Sequence, residues 1–130
     1  MELSAPDYIV LVVADLERAI RFYSDVLGLR LAHRAEAYAQ FDTGRTRLAL
    51  YTRAAMGKTL GIPLVAPSED APAFELGFKV DDAEAAYAEI VRKGARPVTP
   101  PIDRSWGQRT AYVRDPDGHL VELAQDLGRS

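Results

Sequence analysis

The chain contains no cysteine, a single tryptophan and two histidines in 130 residues. Without cysteine there is no disulfide, no thiolate nucleophile and no cysteine-held zinc or iron–sulfur centre, so any metal would have to be gripped by histidine or carboxylate. An excess of basic residues is missing too. Sixteen Lys and Arg against nineteen Asp and Glu leave a net charge of −3 and a pI near 5.4, with no cationic field to draw in a phosphate backbone or an anionic lipid surface. No nucleic-acid partner is expected. No window approaches the ~20 apolar residues of a membrane span, and the opening MELSAPDY lacks the basic start and apolar stretch of a signal peptide. The expectation is a cytoplasmic protein with no membrane partner.

What is present is a duplication. Residues 8 to 28 read YIVLVVADLERAIRFYSDVLG and residues 75 to 94 read ELGFKVDDAEAAYAEIVRKG. Each gives a short apolar run, an aspartate, a helical pattern and a glycine, with Tyr8 and Glu75 both seven positions before their aspartates, Asp15 and Asp82. Repeats of this kind mark tandem structural units. Two half-modules of about 60 residues would each be marginal alone, which predicts that they fold as one domain.

Alternation over Tyr8 to Val13 predicts a strand with both faces covered. Asp15 is placed to cap a helix whose stripe is Leu16, Ala19, Ile20, Tyr23, Val26 and Leu27, ending at Gly28, with Glu17 and Arg21 paired on its wet side. LRLAHR, AYAQF and TRLALY predict three further strands. Module 1 is then β-α-β-β-β over residues 7–53. Module 2, residues 73–126, repeats the plan. Its helix carries Ala83, Ala86, Tyr87, Ile90 and Val91 inward and a Glu89–Lys93 pair outward, and a hairpin turns at Asp115-Pro-Asp-Gly118. Residues 54–72, with several Gly and Pro, read as an inter-module loop, and Pro100-Pro101 as a break. The fold class is therefore α+β, one domain over residues 1–130 built from two tandem βαβββ modules whose mixed sheets curl into a cup.

VADLERAIRFYSDVLGLRL, VDDAEAAYAEIVRKGA and WGQRTAYVRDPDGHLVELAQ together resemble the vicinal oxygen chelate superfamily, which includes glyoxalases, extradiol dioxygenases, fosfomycin-modifying enzymes and bleomycin-resistance proteins. The resemblance covers almost the whole chain and implies the glyoxalase/bleomycin resistance fold, commonly completed as a homodimer. The superfamily's metal positions, carried over residue by residue, fall on Tyr8, Ala49, Glu75 and Glu122. A divalent ion needs roughly three or four N or O donors. Here a methyl group and a phenol stand beside two carboxylates, so no cofactor is expected, and Glu75 and Glu122 are the pair that would hold an ion if one bound. His33 reads as an exposed polar residue. His119, three positions from Glu122, points to the other face of an extended strand.

Strand parity gives the cup an apolar, aromatic lining that includes Tyr8, Ala49, Tyr51, Glu75 and Glu122, suited to a flat organic molecule held by stacking, with a glutamate for an amine or hydroxyl. Trp106 lies on a Ser/Gly loop with little packing reason to be there, and WGQR resembles the groove loop of bleomycin-resistance-like members. Arg109 either braces that loop on a carboxylate or contacts an acidic ligand group. Tyr38 is a further aromatic candidate, equally readable as an exposed strand residue. Two functions follow. One is a metal-independent protein that sequesters a planar small molecule without turnover. The alternative is a metal-dependent or acid–base lyase, isomerase or dioxygenase, and a pure dimerisation module whose side chains fill the cup is a third possibility.

Overall fold

The computed structural model describes residues 1–128. It resolves into two units, Met1–Ala66 and a second beginning at Pro67. In the first, β1 (Tyr8–Val13), β2 (Leu31–Arg34), β3 (Tyr38–Phe41) and β4 (Arg47–Thr52) form a sheet in the order β1-β4-β3-β2. β1 and β4 run parallel, Tyr8 opposite Arg47 and Val12 opposite Tyr51, while the other pairs are antiparallel. A parallel neighbour requires a crossover, which the helical segment after β1 supplies. The second unit repeats this with β5 (Glu75–Lys79), β6 (Arg96–Asp103), β7 (Gln108–Arg114) and β8 (Leu120–Asp126) in the order β5-β8-β7-β6, β5 and β8 being the parallel pair. The α+β class and the two tandem βαβββ modules stand as the sequence implies.

The duplication extends to the caps. Asp15 accepts from the Arg18 N–H at 3.0 Å and Asp82 from the Ala85 N–H at 3.1 Å, opening α1 (Leu16–Arg21) and α3 (Ala83–Arg92) in the same way. Each helix buries its stripe on one face of its own sheet. Leu11, Val13, Phe41, Leu48 and Leu50 are buried with Leu16, Ile20 and Tyr23 in the first unit, and Leu76, Val113, Val121 and Leu123 with Ala83 and Ile90 in the second. Burying one such side chain is worth about 1.5–3 kcal/mol, so a few residues decide the stability of each unit.

The structure corrects the sequence reading at four places. The first helix does not run on as one α-helix: Phe22–Val26 is a π-helical segment in which the Leu27 N–H reaches back five residues to the Phe22 carbonyl at 3.0 Å. The wider turn brings Phe22 into the core beside Tyr23, rings 5.0 Å apart and edge to face, and leaves Val26 and Leu27 only half-buried. Glu17 pairs with Arg34 of β2, whereas Glu89 pairs with Lys93 as expected. The segment 54–72 is not all loop, because α2 (Arg53–Leu60) occupies its first half, capped by the Thr52 hydroxyl on the Ala55 N–H. Pro100 and Pro101 do not break the chain but lie within β6, an outer strand, where the register with β7 shifts between Thr99 and Ile102 and leaves both prolines unpaired. Among the described residues no helix is long and apolar enough to cross a membrane.

Candidate functional site

The sheet of the second unit has one face turned to α3 and one open. The pairing Tyr112–Glu122–Gly77 runs across β7, β8 and β5 and puts all three on the open face; Thr110–Ala124–Lys79 forms the next rung and Gln108–Asp126 the one after. Glu75 lies diagonally from Glu122, one rung toward the start of β8. Both glutamates therefore share a face, as the alternation of the sequence implies.

Glu122 is held on two sides. The Tyr112 hydroxyl donates to its Oε2 at 2.9 Å, and a Cβ at position 77 would sit 3.0 Å from its Oε1, so glycine there leaves room for the carboxylate. Burial, then hydrogen bonding and repulsion from Glu122, push the Glu75 carboxyl above its ordinary value of 4.5. Tyr112 is pushed above its ordinary 10.0, first by burial and then by its bond to Glu122. The Arg104 guanidinium lies 5.9 Å from the centre of the Tyr112 ring and donates through Nε to the buried Thr110 hydroxyl at 2.8 Å.

At the far end of the same face stands Trp106, in the turn between β6 and β7, with 63% of its surface exposed. Its Nε1 donates to Gln108 Oε1 at 3.0 Å, Gln108 Nε2 donates to Asp126 Oδ1 at 3.0 Å, and Lys79 Nζ reaches Asp126 Oδ2 at 2.7 Å. A crevice of about 750 Å³ opens here against Trp106, Gln108, Asp126 and Leu127. From the Gln108 rung to the Tyr112 rung is four residues of strand, roughly 13 Å. Arg109 points to the other face. Its guanidinium grips Asp103 through Nε at 2.6 Å and Nη2 at 3.2 Å, so of the two roles open to it the structure shows the brace.

In the first unit the open face is aromatic. Tyr8 is 53% exposed; Tyr38 and Tyr51 meet edge to face at 6.3 Å, and His33, exposed, lies 6.3 Å from the Tyr38 ring. The Tyr38 hydroxyl donates to Gln40 Oε1 at 2.8 Å, and burial, then the nearby Tyr8, hold its pKa above the ordinary 10.0. Tyr51 is tied by its hydroxyl to Thr59 of α2 at 2.8 Å. Ala49, set between Val10 and Gln40 in the register, is 0% exposed and offers a ligand no surface. Sequence reasoning missed Tyr112, Arg104 and Gln108. Tyr112 and Gln108 share strand parity on β7, and the hairpin register from Glu122 and Asp126 is the signal in the sequence that points to them.

Residues 5–123 match the family model described as Glyoxalase/Bleomycin resistance protein/Dioxygenase superfamily. The chain belongs to that superfamily. Among its relatives, the protein YraH of Bacillus subtilis is 35% identical over 121 residues, covering 90% of this chain and 94% of that one. A bleomycin resistance protein of Geobacillus stearothermophilus is 27% identical over 123 residues, 90% of this chain and 93% of its own. A crystal structure of a glyoxalase/bleomycin resistance protein/dioxygenase from Nocardioides superposes with a TM-score of 0.84 at 25% identity, over 100% of this chain and 88% of that one.

Superfamily membership raises the question of a divalent ion. Of the four implied ligand positions, Ala49 carries a buried methyl group and Tyr8 a phenol, leaving Glu75 and Glu122. Among the described residues no three His, Asp or Glu side chains converge on a point. The donor set does not fit a resident divalent ion, which needs roughly three or four N or O ligands.

Proposed function

We propose that this protein binds a planar or aromatic small molecule without a metal ion and holds it without turnover. The observation that carries the reading is the open face of the second unit, which has an exposed indole at one end and, beyond the Gln108 rung by four residues of strand or roughly 13 Å, the Tyr112-held Glu122 carboxylate with Glu75 beside it. An indole face attracts flat rings, and two neighbouring carboxyl groups suit an amine or hydroxyl. The aromatic face carrying Tyr8, Tyr38 and Tyr51 offers the same chemistry in the first unit. A relative named for bleomycin resistance supports sequestration of an antibiotic-like guest. The reading includes a cytoplasmic homodimer, for which sedimentation at micromolar concentration is the check, a monomer counting against it.

The test is titration of the protein, dialysed against EDTA, with flat aromatic amines while Trp106 emission is followed. Saturable quenching without consumption of the amine supports the reading. Stoichiometric Ni, Zn, Mn or Fe in protein purified without chelator, together with conversion of an added compound, overturns it. A second reading is favoured by the raised Glu75 carboxyl: an acid beside Glu122, which itself accepts from Tyr112, is equipped to move a proton next to a carbonyl. Exchange of deuterium from solvent into an added ketone, lost in Glu75→Gln, would establish that chemistry instead.

A further inference from the structure

The Trp106 indole has its only polar group already engaged. Its N–H is given to Gln108, Gln108 is anchored in turn by Asp126, and Asp126 by Lys79. The turn that carries Trp106 is fixed from below: the Gly107 N–H returns to the Arg104 carbonyl at 3.2 Å, the Arg104 N–H to the Gln108 carbonyl at 2.7 Å, and Gly107 takes φ +92°, which only glycine adopts without strain. Both backbone and ring edge are therefore held while the ring faces stay exposed. The Lys79–Asp126 pair is largely solvent-exposed, and such pairs contribute little to folding. Stability gives little reason for three linked side chains on this edge; orientation of the indole does.

We infer that Lys79, Asp126 and Gln108 are positioning residues that hold Trp106 edge-on, so that its π face receives a planar, cationic or electron-poor ring. With the N–H spent on Gln108, a guest is met only by the electron-rich face of the indole, which favours positive and electron-poor rings over hydrogen-bonding ones. The inference rests on the binding reading above and adds to it the ligand class and the residues that impose it. Preorganisation of this kind strengthens binding by reducing what the side chain loses on ordering.

The test uses 9-aminoacridine, a flat ring cation, as the probe, and reads Trp106 as the only indole in the chain. Without probe, Gln108→Ala and Asp126→Ala are each expected to lower Trp106 emission anisotropy and to raise its quenching by acrylamide, with thermal unfolding close to wild type. With probe, each is expected to weaken binding about three- to tenfold, equivalent to roughly 0.7–1.4 kcal/mol. Asp126→Asn, which keeps an oxygen for Gln108 but gives up the Lys79 ion pair, is expected to fall between wild type and Asp126→Ala in both readouts. Unchanged anisotropy and unchanged affinity in both alanine variants, with Trp106→Ala abolishing binding, would overturn the positioning role and leave the binding reading standing. Wild-type protein that does not bind the probe, or Trp106→Ala that binds it equally well, would overturn the binding reading for this face and the inference with it.

Discussion

Tyr112 and Glu122 face each other across β7 and β8, and the phenol donates to the carboxylate at 2.9 Å. The bond is half-buried and reaches a charged acceptor, so it contributes more than a neutral surface contact. Tyr112→Phe should lower unfolding free energy by about 1 kcal/mol. Urea denaturation with an unchanged slope checks this, and a variant as stable as wild type would place the bond in full competition with water.

Glu75 bears on pH. Its carboxyl sits above the ordinary 4.5 because it is partly desolvated and faces Glu122. Between 4.5 and that raised value the folded chain holds more protons than the unfolded one, so this group's contribution to stability falls as pH rises through the window. Glu75→Gln removes the effect. Its melting temperature relative to wild type should therefore climb from pH 4 to pH 7, and parallel curves for the two proteins would refute the assignment.

Gly77 separates fold from site. A methyl group there would press on Glu122 Oε1 at 3.0 Å, at the far end of a flexible side chain. Gly77→Ala should leave the melting temperature within a few degrees, since the carboxylate swings aside, but it should cost the Tyr112 contact and weaken binding of a planar amine by about three- to tenfold, near 1 kcal/mol. Calorimetric titration beside a thermal melt distinguishes the two effects.

Asp115 tests the hairpin. It is 0% exposed, its Oδ1 accepts from the Asp117 and His119 N–H groups at 2.9 and 2.8 Å, and its Oδ2 meets His119 Nδ1 at 2.8 Å. Asp115→Ala strands both amides. A loss of about 2–4 kcal/mol is expected by urea denaturation, with Asp115→Asn recovering part of it.

Part of this architecture is legible in the sequence. The two caps, the parity of Glu75 and Glu122, the exposed Glu89–Lys93 pair and the DPDG turn could all be read, because each depends on spacing within a few residues. The π-helical segment could not, since its cause is the fit of Phe22 and Tyr23 together against the sheet and not any local preference. α2 was hidden by Gly57 and Gly61, which read as breakers although the first lies inside the helix and the second just ends it. Ala49 has a register position on the open side, but its methyl group lies between larger neighbours and is 0% exposed. The link from Trp106 to Lys79 joins three strands and the turn, and no sequence window contains it.

Pro97, Pro100 and Pro101 all lie along β6, the outermost strand of its sheet. Three of its eight residues carry no N–H, which thins the donors that such a margin would otherwise offer to another chain. On the binding reading proposed above, a protein that works by occupancy must be as abundant as whatever it neutralises. Crowded copies of such a molecule meet often, and a margin that cannot recruit strands lets them meet without polymerising.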